Sequence, residues 1–162
     1  MAEAARSELN LDRVVFVPAA QSPLKGRAAS PAERRVALLR RALAGRPGLE
    51  VSRCEVDRAG VSYTVDTLKA FKKQYGKAAA LYFLCGADMV RTFGRWRSFP
   101  EVLKLCRFVV LSRPGHRIGR LPEGAMRLDF DAVDVSSTAL RRKKKERTIN
   151  GGRSSDPRKR SS

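Results

Sequence analysis

The sequence predicts an α/β protein whose strands run parallel. Continuous apolar runs at residues 14–17, 81–85 and 108–111 are typical of strands that are buried on both faces of a sheet. Segments with helical spacing of apolar residues lie between these runs, and this alternation is the pattern of parallel sheets with crossover helices. The length of 162 residues fits one domain, since domains commonly have about 100–200 residues.

The sequence of residues 1–29 predicts one helix, one strand and one loop. Residues 1–10 have the composition of the middle of a helix and lack a capping residue. The apolar run 14–17 predicts the first strand, and Pro18 ends it because proline cannot donate a ladder hydrogen bond. Residues 19–29 form the loop that follows.

A second helix is predicted to begin near residue 30. Ser30 is the expected N-cap, Pro31 occupies the first helical position, and Glu33 completes a capping box. Apolar residues follow at helical spacing. Gly45 ends the helix because glycine readily adopts the left-handed conformation of a helix C-terminus.

The remaining elements follow by the same criteria. Leu49 to Cys54 is a weaker strand, and Tyr63 to Tyr75 is a helix that Gly76 ends. Further strands are predicted at 81–85, 108–111 and within 125–135, with one or two helical turns at 100–105. Ser136, Ser137 and Thr138 could cap a final helix.

Charge divides the chain into a predicted domain at 1–145 and a predicted disordered basic tail at 146–162. The net charge is +18, from 34 basic and 16 acidic residues. In the tail the only large apolar side chain is Ile149, so ordering it would bury too little surface. A solvated tail is the favoured interpretation over a nucleic-acid contact, because no aromatic residue is present there to stack on bases.

The cysteine pattern and the hydropathy argue against a disulfide-bonded secreted protein and against a membrane protein. Cys54, Cys85 and Cys106 have no CxxC spacing and sit in or beside apolar runs, which favours reduced thiols in a reducing compartment, the cytoplasm. We expect no metal site from the chain itself. No apolar run approaches the roughly 18 residues of a membrane span, and the N-terminus lacks the pattern of a secretory signal.

Polar residues that follow the strands suit a nucleotide. Parallel sheets bind ligands beyond the carboxyl ends of their strands, where this chain has a lysine, a carboxylate, hydroxyls at a helix N-terminus and an arginine. Such groups can bind phosphates and ribose hydroxyls. Simpler roles remain open: Asp88 and the Ser136–Thr138 segment could be helix caps only, and Trp96 could be a core residue. The candidates are Lys25, Gly86, Asp88, Ser136, Ser137, Thr138 and Arg141.

The order of the motifs resembles bacterial nicotinate-nucleotide adenylyltransferases of the nucleotidyltransferase superfamily. The resemblance covers roughly residues 1–141. It rests on Pro23-Leu24-Lys25, on an SYTxxTL block at 62–68, on Gly86-Ala87-Asp88, on Trp96, and on Ser136-Ser137-Thr138 with Arg141. The family implies a Rossmann-like, doubly wound sheet. It also implies transfer of an adenylyl group from ATP to nicotinate mononucleotide with Mg²⁺, which gives deamido-NAD and pyrophosphate.

The resemblance also implies residue roles. Gly86 and Asp88 would bind the ATP ribose region, with Asp88 on the ribose itself. Ser136, Ser137, Thr138 and Arg141 would hold the triphosphate. For nicotinate mononucleotide, Trp96 would stack on the ring, Tyr63 and Thr64 would recognise the carboxylate, and Lys25 would face the phosphates. The residue before the lysine is usually His in the family and is Leu24 here, which removes a polar contact.

The family's HxGH pair, which stabilises the α-phosphate, does not occur in this sequence. We expect the reading frame before Met1 to encode it together with a first strand. Without that strand, the strands at 14–17 and 81–85 lose their shared neighbour. We therefore expect an aggregation-prone, inactive chain. Two other functions stay open: an inactive remnant that binds a nucleotide, and a basic protein associated with nucleic acid.

Overall fold

The computed structural model describes residues 1–24, 30–112 and 118–129. The described elements are α1 (Ala2–Glu8), β1 (Val14–Phe16), α2 (Ala32–Leu43), β2 (Leu49–Val51), α3 (Cys54–Arg58), α4 (Thr64–Tyr75), β3 (Tyr82–Gly86), a 3₁₀ segment (Ala87–Arg95), α5 (Phe99–Leu105), β4 (Arg107–Ser112) and β5 (Met126–Asp129). Strands and helices alternate, so the α/β class that the sequence predicts is confirmed.

The described strands form two parallel sheets. One pairs β1 with β2, from Val14 opposite Leu49 to Phe16 opposite Val51. The other has the order β3-β4-β5, with Phe83 opposite Phe108. Among the described residues, strands β1 and β3 thus lie in different sheets and do not pair with each other.

Strand burial follows the number of neighbouring strands. In β4, which has a strand on each side, Phe108, Val109 and Val110 are buried. All three residues of β1 are only partly buried, because β1 pairs on one edge alone. The prediction of strands buried on both faces is therefore correct for β4 and wrong for β1. In β3 the chain is buried only at Cys85.

The capping box predicted for the second helix does not form. Helix α2 begins at Ala32 with Pro31 as N-cap and without a side-chain capping bond. Glu33 instead pairs with Arg53 through two hydrogen bonds of 2.7 Å each. That contact lowers the pKa of the Glu33 carboxyl below its usual value. The long-range arginine therefore competes successfully with the local backbone amide for the carboxylate.

The second predicted strand is shorter than expected. It ends at Val51, and a short helix, α3, begins at Cys54. The Ser52 hydroxyl accepts a hydrogen bond from the Cys54 backbone N–H at 3.3 Å, which favours a turn at this point. The predicted ends of α2 and α4 are confirmed, since Gly45 and Gly76 follow them with φ of +74° and +84°.

The core is an aromatic cluster built on β4. Phe108 lies 4.9 Å from Phe83, 5.0 Å from Phe93 and 6.0 Å from Trp96 between ring centroids. Phe99 of α5 stacks on Phe93 at 5.1 Å. Apolar side chains from α4 and the 3₁₀ segment complete this core: Val65, Leu68, Val90 and Val102 of α5. None of the described helices is long and apolar enough to cross a bilayer.

Several predictions fall outside the described residues. They are the strand exit after 129, the final helix capped by Ser136–Thr138, the domain boundary at 145 and the basic tail at 146–162.

Replacing Phe108 with alanine tests the aromatic cluster. The Phe108→Ala variant should lose about 3–5 kcal/mol of unfolding free energy, because truncation of a buried aromatic leaves a cavity. Urea denaturation followed by the fluorescence of Trp96, the sole tryptophan, measures it. Leu38→Ala is the control, since Leu38 is 58% exposed and should change stability by less than about 0.5 kcal/mol. Equal effects of the two variants would contradict the core assignment.

Candidate nucleotide-binding site

The carboxyl end of β3 presents an open surface at Gly86. Both Gly86 and Asp88 are exposed, and a Cβ built on Gly86 would meet no atom within 4 Å. The 3₁₀ segment takes Gly86 as its N-cap and has no side-chain capping bond, so Asp88 does not serve as the cap. Within the described residues the Asp88 carboxylate has no hydrogen-bond or ion-pair partner, which leaves it available to a ligand hydroxyl.

The turn before α4 places Tyr63 and Thr64 at a helix N-terminus. Tyr63 is the N-cap residue in extended conformation, and Thr64 is the first helical residue. The Arg97 guanidinium lies over the Tyr63 ring, 4.7 Å from its centroid. One Arg97 nitrogen lies 3.9 Å from Asp66, at the limit of an ion pair. The turn thus combines an aromatic face, a hydroxyl and an exposed positive charge.

Trp96 directly follows the 3₁₀ segment and is half-buried. Its indole Nε1–H donates to the Thr92 hydroxyl at 3.0 Å. Phe83 and Phe93 both meet the indole in edge-to-face geometry at 5.4 Å. Trp96 is therefore anchored in the aromatic cluster while it keeps an accessible part. Both the core interpretation and the ring-stacking interpretation remain compatible with this placement.

The structure places Trp96 and Tyr63, two of the residues predicted to bind nicotinate mononucleotide, against the same core. Arg97, which follows Trp96, contacts Tyr63, and both Tyr63 and Trp96 pack against the same core cluster. Gly86 and Asp88 lie at the other end of the 3₁₀ segment that leads to Trp96. Five other candidates lie outside the described residues: Lys25, Ser136, Ser137, Thr138 and Arg141.

Two residues of the SYTxxTL block face inward rather than toward a ligand. Thr67 is 6% exposed, and its hydroxyl donates to the carboxylate of buried Glu55 on α3. Arg58 donates to the same hydroxyl at 3.3 Å. Ser62 is also buried and bonds to the loop after β1. The sequence analysis did not assign these roles, although a threonine beside Leu68 on the apolar face of a helix is a signal of a buried polar contact.

The two cysteines near the sheet are poor nucleophiles. Burial raises the pKa of the Cys85 thiol to about 12 and that of the Cys106 thiol to about 11. Both thiols are therefore protonated at neutral pH and react slowly with oxidants. All three cysteines are free. Among the described residues no group of three or more His, Cys, Asp or Glu side chains could hold a metal ion.

An α/β domain with polar groups beyond the carboxyl ends of its parallel strands is typical of nucleotide-binding proteins. A family model described as cytidylyltransferase-like matches residues 1–143, and the chain belongs to this family.

Three curated relatives that match this chain carry the same name, probable nicotinate-nucleotide adenylyltransferase. A probable nicotinate-nucleotide adenylyltransferase of Moorella thermoacetica is 38% identical over 152 residues, which is 86% of this chain and 70% of the relative. One of Roseiflexus sp. is 41% identical over 153 residues, 88% of this chain and 76% of the relative. One of Thermoanaerobacter sp. is 46% identical over 123 residues, 75% of this chain, and the match spans 58% of that relative's length. The resemblance that the motifs predict is thus confirmed.

The contact between Thr67 and Glu55 is testable by an isosteric change. Thr67→Val should lower the unfolding free energy by about 1–3 kcal/mol, because a buried carboxylate loses a hydrogen-bond donor. Thr67→Ser keeps the hydroxyl and should recover most of that loss. Chemical denaturation of the three proteins compares them. A valine variant as stable as the wild type would show that the hydrogen bond contributes nothing to folding.

Proposed function

We propose that this chain serves nicotinate-nucleotide adenylyl transfer, in which ATP and nicotinate mononucleotide give deamido-NAD and pyrophosphate. The observation that carries the proposal is the 38–41% identity, over 152 and 153 residues, to relatives named for this activity. The described side chains are compatible with it. Asp88 follows the carboxyl end of β3, and Tyr63 and Thr64 lie at the start of α4. Trp96 and Tyr63 pack against the same core cluster.

On the ATP side, one set of residues would bind the ribose and another would bind the triphosphate. Asp88 would accept hydrogen bonds from the ribose hydroxyls, and the open backbone at Gly86 would let the nucleotide approach closely. Ser136, Ser137, Thr138 and Arg141 would neutralise and orient the triphosphate. We assign a divalent cation, Mg²⁺, to the ATP phosphates, where it would offset negative charge.

On the acceptor side, the groups are aromatic and basic. Trp96 would contact the pyridine ring through its accessible part, Tyr63 and Thr64 would recognise the carboxylate, and Lys25 would face the phosphate. In the reaction a phosphate oxygen of the mononucleotide bonds to the α-phosphorus of ATP. The bond from that phosphorus to the bridging oxygen breaks, and pyrophosphate leaves. Such a displacement needs positioning and charge neutralisation more than covalent help.

We propose a reducing, cytoplasmic setting, which three free cysteines favour. We also propose that the positive net charge of +18 favours the binding of anionic small molecules at the site. Nucleic acid would be contacted only through the basic tail, and a salt-dependent affinity for duplex DNA would reveal such binding.

Arg97 should favour nicotinate over nicotinamide mononucleotide. Its exposed guanidinium lies over Tyr63 and could pair with the ring carboxylate, which the amide lacks. We expect Arg97→Gln to weaken nicotinate mononucleotide about three- to tenfold and to leave nicotinamide mononucleotide unchanged, since an exposed charge contact is worth roughly 1 kcal/mol. Quenching of Trp96 fluorescence gives both dissociation constants.

Arg95→Gln is the matched control for this change. Arg95 precedes Trp96, is exposed and has no partner among the described residues, so its loss should alter neither constant. Equal weakening of both mononucleotides by Arg97→Gln would remove Arg97 from carboxylate recognition.

Turnover separates an enzyme from a nucleotide-binding remnant. We expect the soluble fraction of residues 1–162 to show little or no pyrophosphate release, because the HxGH pair is not among them and each preorganised donor to developing charge supplies a factor of about 10²–10³. The assay combines ATP, Mg²⁺ and nicotinate mononucleotide, with ATP alone as the blank. Turnover at the rate of the Moorella thermoacetica relative would contradict the assignment of catalysis to that pair. Absence of binding by either substrate would overturn the proposed function.

A further inference from the structure

A single hydroxyl joins the Trp96 indole to the backbone of the 3₁₀ segment. The indole Nε1–H donates to Thr92 Oγ1 at 3.0 Å, and the same hydroxyl donates to the Met89 carbonyl at 2.7 Å. An indole N–H can only donate and a carbonyl can only accept, so a group between them must do both. The Thr92 hydroxyl meets that requirement and thereby fixes the direction of the indole N–H.

The main chain at Trp96 is held to the same segment. Its backbone N–H donates to the Phe93 carbonyl at 3.0 Å, so Trp96 is bonded to the 3₁₀ segment through both its main chain and its side chain. Residues three apart lie above one another in a 3₁₀ helix, which brings the Thr92 hydroxyl within reach of the Met89 carbonyl. The two bonds of Trp96 thus fix both its backbone and the direction of its ring relative to this segment.

The aromatic neighbours of the indole leave its parallel stacking arrangement unused. Phe83, Phe93 and Phe99 lie at 82°, 83° and 81° to the indole plane, and Phe108 is tilted by 60°. Among the described rings, therefore, none lies parallel to the indole. Perpendicular packing holds the indole in the core, whereas offset stacking of a flat ligand ring needs a parallel approach. Trp96 is half-buried, so part of it remains accessible to such a ring.

We propose that Thr92 is a positioning residue: its hydroxyl holds the Trp96 indole in a fixed orientation for stacking on the pyridine ring of nicotinate mononucleotide. The proposal rests on the proposed function, which places Trp96 at that ring. An aromatic side chain that is already held in one orientation has less freedom to lose on binding, and such preorganisation raises affinity without a contact between Thr92 and the ligand. Removal of the hydroxyl should therefore weaken the mononucleotide and spare ATP, which the proposed function places on other residues.

Thr92→Val tests the proposal because it removes the hydroxyl and keeps the branched shape. Calorimetric titration of the soluble protein gives the dissociation constants of nicotinate mononucleotide and of ATP. We expect Thr92→Val to weaken the mononucleotide about three- to tenfold and to change the ATP constant less than about twofold, since ordering one side chain on binding costs on the order of that factor. Thr92→Ser keeps the hydroxyl and should bind both ligands as the wild type does. Equal weakening of both ligands by Thr92→Val would show a purely structural role and overturn the proposal.

The indole N–H gives a spectroscopic signature of the same bond. Trp96 is the sole tryptophan, so a magnetic resonance spectrum of the isotope-labelled protein shows one indole N–H signal, whose exchange with solvent reports the hydrogen bond. That exchange should be faster in Thr92→Val than in the wild type, and an unchanged rate would overturn the proposal. Thr92→Ala removes the same hydroxyl and serves if the valine variant does not fold. Arg91→Gln is the control, since Arg91 is exposed and has no partner among the described residues, and it should change neither the exchange rate nor the ratio of the two dissociation constants.

A double-mutant cycle with Trp96→Phe shows whether Thr92 acts through the indole. Phenylalanine keeps an aromatic ring in the cluster but has no N–H, so in that background Thr92→Val should cause no further loss of mononucleotide affinity. Additive losses would mean that Thr92 acts through the Met89 carbonyl alone, and they would overturn the proposal. Wild-type protein that binds the mononucleotide while Thr92→Val binds equally well overturns the positioning role alone. Wild-type protein that binds neither ligand overturns the proposed function and the positioning role with it.

Discussion

The packing of the Phe108 ring on the central strand β4 is the interaction on which the larger sheet and its candidate site depend. Strand β4 has a parallel neighbour on each side, and its Phe108 ring meets aromatic rings from β3, from the 3₁₀ segment and from α5. Burial of such rings stabilises a core both through the area removed from water and through their edge-to-face geometry. The cluster fixes the path of the chain after β3, so it also fixes where Gly86, Asp88 and Trp96 lie.

Helix α4 connects this core with the smaller sheet. Its buried residues Val65 and Leu68 belong to the aromatic core, while Ser62, just before the helix, bonds to the loop after β1. Thr67 adds a buried bond to Glu55 on α3. Neither β1 nor β2 pairs with a described strand of the larger sheet. The side-chain contacts of α4 and of the turn before it therefore join the two sheets. Tyr63 and Thr64 lie at that junction.

How much could be predicted from sequence depended on whether the decisive contact was local. The ends of α2 and α4 followed from Gly45 and Gly76, whose left-handed conformations are local properties. The capping box at Ser30 and Glu33 failed because a distant arginine, Arg53, bound the carboxylate. The burial of β1 was overestimated because apolar residues alone do not reveal how many strands will lie beside them. At the candidate site, sheet topology predicts Gly86 and Asp88. The contacts of Arg97, Arg35 and Ser62 are tertiary and could not be predicted from the local sequence.

The SYTxxTL block shows why a motif is not a set of ligand contacts. Tyr63 and Thr64 occupy the N-cap and the first position of α4 and remain partly accessible. Ser62 directly precedes Tyr63, and Thr67 follows Thr64 by three residues. Both side chains are buried and bond to other groups of the protein. Thr67 lies about one turn after Tyr63 and therefore on the same side of α4. It is nevertheless buried, because it bonds to Glu55 of the neighbouring helix α3. A buried hydroxyl must find a partner, and here the partners are the loop after β1 and helix α3. The motif therefore holds Tyr63 and Thr64, the two residues proposed to recognise the nicotinate carboxylate, at the start of α4. A chain that kept these two residues but lost Ser62 or Thr67 would lose contacts that hold this turn and helix to their neighbours.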